Sequence, residues 1–153
     1  MQEKLVYLDT SVIGGCFDEE FRAESSKLME MIRLGIYVGM ISPVTIRELI
    51  LAPAEVQSII QDLGEGELIR LADSAEADRL AQAYLDAFVV SIKFREDAGH
   101  IAFATVHHAD VLVSWNFRHI VNLKRIEGFN RVNEREGYGH LEIRSPKELI
   151  YGK

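Results

Sequence analysis

The sequence predicts an α/β protein built on a mainly parallel sheet. Short apolar runs recur along the chain, each is closed by a turn or helix-start signal, and the segments between them repeat apolar residues at helical spacing. A short apolar run bounded by turn residues is how a strand buried on both faces reads, and parallel sheets are made of such strands. No repeat, low-complexity tract or long linker divides the chain. Its 153 residues therefore read as one domain, 1–153, large enough to bury a core without disulfides.

Leu5-Val6-Tyr7-Leu8 reads as the first strand, ended abruptly by Asp9-Thr10-Ser11. Gly14-Gly15 and Asp18-Glu19-Glu20 read as a loop. Phe21, Leu28, Met29 and Ile32 then recur at helical spacing, with Gly35 suited to the C-terminal cap. Residues 36–41 form a second apolar strand. Ser42-Pro43 supplies an N-cap and a first-turn proline for a helix through Glu48 and Ile50. Pro53 ends it, and residues 54–63 make another short helix before Gly64 and Gly66.

Residues 68–71 are the third strand, and Asp73 with Glu76 reads as a capping pair opening a helix to about Phe88. A further helix starts at Glu96-Asp97 and runs through Ala102 and Ala104 to His107-His108. Val111-Leu112-Val113-Ser114 is the next strand, ending in Trp115-Asn116. Residues 117–136 read as a basic helical segment broken once, residues 141–144 as the last strand, and Ser145-Pro146 as the cap of a terminal helix.

Composition narrows the classes. Hydrophobic content of 48% with 27% charged residues describes a globular chain rather than a disordered one. No apolar run approaches the ~20 residues a bilayer span needs. Met1-Gln2-Glu3-Lys4 is too short and acidic for the start of a signal peptide, and the lone Cys16 fits a reducing compartment, so the cytoplasm is the expected location. The net charge of −7 is unevenly spread. From Trp115 onward 8 Lys and Arg face 5 Asp and Glu, whereas the rest has 9 against 19. An acidic body with a basic C-terminal third suits a protein that gathers carboxylates at a site and holds a polyanion beside it; an Arg-rich solvated helix face gives the same count.

Three carboxylates stand where such a site would be built: Asp9 after the first strand, Glu48 on the helix after the second, and Asp97 at a helix start. Ligands of open α/β sheets bind at the carboxyl ends of strands. Hard cations such as Mg²⁺ or Mn²⁺ take a few carboxylates plus water and phosphate, and clustered carboxylates repel one another without a cation. Each residue also has a plainer role. Asp9 suits a turn cap, Asp97 a first-turn acid, and Glu48 a surface partner of Arg47.

The chain resembles the PIN-domain proteins, of the VapC type found as toxins in toxin–antitoxin pairs. The matching stretches are Val6-Tyr7-Leu8-Asp9-Thr10-Ser11, Val44-Thr45-Ile46-Arg47-Glu48-Leu49, Asp97-Ala98-Gly99-His100-Ile101-Ala102-Phe103-Ala104, and residues 110–117. The likeness is clearest over 5–120. It implies a metal-dependent endoribonuclease with Asp9, Glu48 and Asp97 on Mg²⁺ or Mn²⁺ and Ser11 ordering the first acid. Many members carry Asp where this chain has Asn116, which supplies no negative charge and weakens the hold on a second metal. Arg118, Lys124 and Arg125 follow the site and are candidates to hold the RNA backbone, and His119 is a candidate to contact the substrate.

The resemblance further implies an antitoxin partner and a homodimer. Phe21, Leu28, Met29 and the 84–88 face offer apolar surface for the dimer, and suit a core equally. The competing reading is a degenerate PIN-like module that binds RNA with little turnover because of Asn116. A phosphoryl-accepting domain fits less well, since Asp9-Thr10-Ser11 lacks the DxD of haloacid-dehalogenase-type phosphatases. No HExxH or thiolate set supports zinc at His100, His107 or His108, and His100 is expected to pack or hydrogen-bond. Trp115 suits a rim anchor better than a base-stacking surface. Gly14-Gly15 lacks the lysine of a phosphate-binding loop.

Overall fold

Five parallel strands in the order β3-β2-β1-β4-β5 form the centre of a computed structural model that describes residues 4–152. The residue 1–3 start, which bears on the signal-peptide reading, lies outside the described residues. The strands are β1 (Lys4–Leu8), β2 (Tyr37–Ile41), β3 (Leu68–Arg70), β4 (Val111–Val113) and β5 (Ile143–Arg144). Among the described residues eight α-helices flank them: α1 (Thr10–Gly14), α2 (Arg22–Arg33), α3 (Pro43–Ile50), α4 (Ala54–Gln61), α5 (Ala75–Asp86), α6 (Arg95–Val106), α7 (Leu123–Arg135) and α8 (Pro146–Tyr151).

Strand alternation divides the core in two. Val6 and Leu8 of β1, with Val111 and Val113 of β4, face α1, α2 and α4. Tyr7 and Leu112, one residue out of phase, face α5, α6 and α7. Both faces of β1 and β4 are thus buried, which is why these strands read as unbroken apolar runs. Leu28, Met29 and Tyr84 are core residues with at most 1% exposure, so the dimer surface suggested for them is closed; of the apolar residues of 84–88 only Phe88 is exposed, at 89%.

The chain builds outward from β1 through β2 to β3, then crosses to the other side for β4 and β5. β1 and β4 are therefore neighbours at a topological switch point, paired Val6 to Val111 and Leu8 to Val113. The loops leaving their carboxyl ends diverge there and open a crevice. Asp9 follows β1 and Ser114 follows β4 directly into it.

Some local expectations change. The segment after Asp9 is helix α1 followed by a 3₁₀ turn, Gly15–Phe17, rather than a loop. Gly15 is required by close approach, because a Cβ there would lie 2.5 Å from Ser25 Oγ and 2.9 Å from Trp115 Nε1. α5 is capped by Ser74, whose Oγ accepts from Ala77 N–H, and not by the Asp73–Glu76 pair. The basic segment breaks at Asn122, which caps α7 through a bond from Arg125 N–H. The Ser42 and Ser145 caps form as the sequence predicts, each closing a capping box.

Candidate metal centre

Asp9 occupies the N-cap position of α1, yet its side chain caps nothing. Its Oδ2 instead accepts from the hydroxyls of Ser11 and Ser114, both at 2.7 Å. Those hydroxyls are fixed in turn, Ser11 Oγ accepting from Trp115 N–H at 3.0 Å and Ser114 Oγ from Asn116 N–H at 2.9 Å. The loops after β1 and β4 thus jointly aim one carboxylate, only 5% exposed, leaving Oδ1 free of hydroxyl partners. The plain turn-cap role of Asp9 is not what holds its carboxylate.

Oδ1 lies 3.2 Å from Nε2 of His100, a fully buried residue of α6. The same Nε2 is 2.6 Å from Glu48 Oε1, which also accepts from Thr10 Oγ1 at 2.6 Å. Nε2 carries a hydrogen, since both neighbours are carboxylate oxygens. The other nitrogen, Nδ1, is 2.7 Å from the Tyr7 hydroxyl, itself 2.6 Å from Ser42 Oγ. Asp9, Glu48 and His100 each bring one ligating atom within 4.8 Å of the others, close enough to hold a metal ion.

The charges shift as this crowding demands. Burial alone would discharge His100, but Tyr7, Asp9 and Glu48 raise its pKa well above the ordinary value. Glu48 moves the other way. Burial pushes it up, and the His100 bond and charge, with Thr10 and Arg47, bring it below the usual carboxylate range. Asp97, on the same face of α6 one turn before His100, has its pKa raised to about 6 by burial first and then by Asp9, opposed by His100 and reinforced by Glu48 and Glu96. Glu96 is tied outward to Arg47 at 3.3 Å.

Asn116 accepts from His119 N–H through Oδ1 at 2.9 Å, so its Nδ2 faces Asp97 Oδ2, at 3.5 Å. The residue therefore presents a donor to the acids. The His119 ring stacks on Phe94 with centroids 3.8 Å apart, and burial followed by Arg125, Arg118 and Lys93 lowers its pKa. Trp115 is an anchor, stacked on Phe21 at 4.3 Å and donating from Nε1 to Ser25 Oγ. Beside it lies a cavity of about 770 Å³ between Phe21, Phe117 and Tyr151. His107 and His108 lie at the far end of α6, outside the cluster.

The residues close enough together to hold a metal ion are Asp9, Glu48 and His100, not the Asp9, Glu48 and Asp97 set expected from the sequence; Asp97 lies outside that group and feels the charges of Asp9 and Glu48. His100 packs and hydrogen-bonds as the sequence suggests; its place between Asp9 and Glu48, and the parts played by the Thr10 and Ser114 hydroxyls, are not anticipated there. The only signal for His100 was its three-residue spacing from Asp97.

The charge on Asp97 has a measurable cost. A carboxyl whose pKa rises on folding is stabilising only while protonated, so the cost accumulates from about pH 4, where the unfolded chain ionises, and is complete above about pH 6. Asp97→Asn is expected to stabilise the metal-free protein by about 1–2 kcal/mol at pH 7.5, after discounting for partial exposure. Thermal melts in EDTA should show that gain vanish near pH 4; equal melting of variant and wild type at pH 7.5 would contradict it.

Fold and site together define a single α/β domain of PIN-like architecture, carrying an acidic cluster at its switch point. No family model and no curated protein sequence matches the chain. Among solved structures it is similar to VapBC2 from Rickettsia felis, bound to a DNA fragment from the promoter, with a TM-score of 0.57 and 15% identity over 92% of this chain and 98% of that one. It is likewise similar to FitAcB from Neisseria gonorrhoeae, with a TM-score of 0.53 and 16% identity over 94% and 99% of the two chains. No helix among the described residues is long and apolar enough to cross a membrane.

Proposed function

We propose that the protein is a metal-dependent endoribonuclease, the toxin of a type II toxin–antitoxin pair. The observation that carries this reading is the Asp9–Glu48 juxtaposition at the switch point, with Asp97 beside it. The fold likeness to VapBC2 and FitAcB supports an antitoxin as partner.

The donor set fits Mg²⁺ or Mn²⁺, which favour carboxylate oxygens. Asp9 and Asp97 would hold the ion, with Glu48 as third oxygen donor. When bound, the ion supplies Lewis-acid polarisation of a phosphodiester and eases deprotonation of an attacking water. Ser11 and Ser114 fix the bearing of Asp9, and Thr10 that of Glu48, before substrate arrives. His100 is a positioning residue, keeping the two carboxylates in register through its Nε2–H. Asn116 offers Nδ2 as a donor to a phosphate oxygen or water, and Arg118, His119, Lys124 and Arg125 would contact the RNA beyond the site.

One observation favours the second reading, an RNA-binding module with little turnover: the His100 nitrogen stands between Asp9 and Glu48, where a cation would otherwise balance them. Incubating the purified chain with single-stranded RNA separates the two. Cleavage that requires Mg²⁺ or Mn²⁺, stops in EDTA and is lost in Asp97→Asn is the expected result. RNA retained but uncut in the presence of either ion would replace the nuclease with the binding module.

A further inference from the structure

We propose that the end of α5 and the outward face of α7 form a second site for single-stranded RNA, with Phe88 as the surface on which a base stacks and Lys124, Arg125 and Arg131 as the groups that hold its phosphates. The inference deepens the nuclease reading and rests on its choice of RNA as substrate. The site shares no residue with the acidic cluster.

The first observation is a strained aromatic with nothing packed against it. α5 ends in a Schellman turn, with Phe88 N–H on Leu85 O at 3.0 Å and Val89 N–H on Tyr84 O at 3.1 Å. α2 ends in the same turn, and there the left-handed position is held by Gly35 at φ 80°. At α5 it is held by Phe88 at φ 58°. His108 also adopts this conformation, at φ 60°, but histidine visits it readily and a bulky aromatic does not. Phe88 is 89% exposed, so no core contact offsets the strain. Strain that packing does not explain is a marker of a functional position.

The second observation is what lies beside that ring. A cavity of about 420 Å³ is lined by Phe88, Ser91, Lys124, Arg125 and Arg131, together with Gly128, and no carboxylate shares its wall. Lys124, Gly128 and Arg131 follow one another at i, i+4 and i+7 on one face of α7, while Phe129 and Val132 take the opposite face into the core. In a chain with 24 acidic and 17 basic residues, none of these three cations makes an ion pair among the described residues. Arg125 donates to the carbonyl of Val89, which fixes a guanidinium at the foot of the Phe88 turn.

The third observation is continuity with the acidic site. Lys93 Nζ stands 5.7 Å from the Phe94 ring centroid, Phe94 stacks on His119, and His119 N–H bonds Asn116. Lys93 and Phe94 follow Ser91 of the cavity wall in sequence, so this chain of contacts runs from beside the cavity to Asn116. An exposed ring among cations matches the unpaired bases and phosphates of a single strand, whereas a duplex hides its base faces.

The test is fluorescence anisotropy of the full chain with a labelled single-stranded RNA in EDTA, where no cleavage intervenes. Phe88→Gly is expected to weaken binding about 10-fold, the loss of one base stack, with Tm unchanged or higher because the strain is relieved. Lys124→Gln with Arg131→Gln should reduce the salt dependence of binding by about 0.7 log unit per decade of salt for each cation removed. Lys27→Gln, an exposed cation over the Tyr151 ring elsewhere, should change neither readout. Wild-type affinity in Phe88→Gly and in the double variant overturns this site and leaves the metal-centred reading standing. Sensitivity to Phe88→Gly in a chain that never cuts RNA supports the site and overturns the nuclease. An oligomer lost in Phe88→Gly with RNA affinity intact assigns the ring to contact between copies, and no RNA binding by the wild type removes the proposal altogether.

Discussion

Asp9→Asn is expected to lower metal-dependent RNA cleavage by about two to three orders of magnitude, the scale on which removing one preorganised electrostatic contact acts. The substitution removes the charge and keeps the shape. The Asp9 side chain makes no capping bond; its partners are the Ser11 and Ser114 hydroxyls, which an amide oxygen can still satisfy, and His100 Nε2–H, which loses a carboxylate and would face an amide NH2 instead. The variant should therefore fold but melt below the wild type, so rates are compared at a temperature where both are folded. Single-turnover cleavage rates with Mn²⁺, compared with circular-dichroism melts of the same samples, check both halves. A variant that cuts RNA at the wild-type rate would remove Asp9 from the centre.

His100→Ala is the second large effect, and it falls on stability. The buried ring joins Tyr7 on one side to Asp9 and Glu48 on the other. Removing it leaves two carboxylates facing each other without their shared donor, a tyrosine hydroxyl without its nitrogen partner, and a cavity in α6. Breaking a buried charged pair costs about 3–5 kcal/mol. For a domain of this size that is a fall of roughly 10 °C in Tm. Mn²⁺ should restore more of the lost Tm in the variant than it adds to the wild type, because a cation would relieve the exposed repulsion between Asp9 and Glu48. Melts in EDTA and in Mn²⁺ decide this; a variant as stable as the wild type in EDTA would mean the ring bears no load between the carboxylates.

The strands were legible because Val6–Leu8 of β1 and all of β4 are buried on both faces; only Lys4, at the exposed start of β1, is charged, and it blurs that limit. The position of Asp9 was legible because an Asp directly after such a strand has one natural destination, the sheet rim. Other features were hidden by tertiary contacts. Gly14-Gly15 reads as a turn, and only the approach of Ser25 and Trp115 shows why Gly15 lies in compact helical structure. α6 is buried almost all round, so periodicity could not say that His100 faces Asp9 rather than the core. Thr10 and Ser114 carry ordinary hydroxyls beside strand ends. Their roles depend on β1 and β4 being neighbours, which the crossover determines and no local pattern encodes.

The most direct measurement is calorimetric titration of Mn²⁺ into the purified chain, with Asp9→Asn and Asp97→Asn alongside. A saturable site in the wild type that both substitutions abolish is the expected result. No binding, or binding indifferent to both changes, would contradict a metal centre built on these carboxylates.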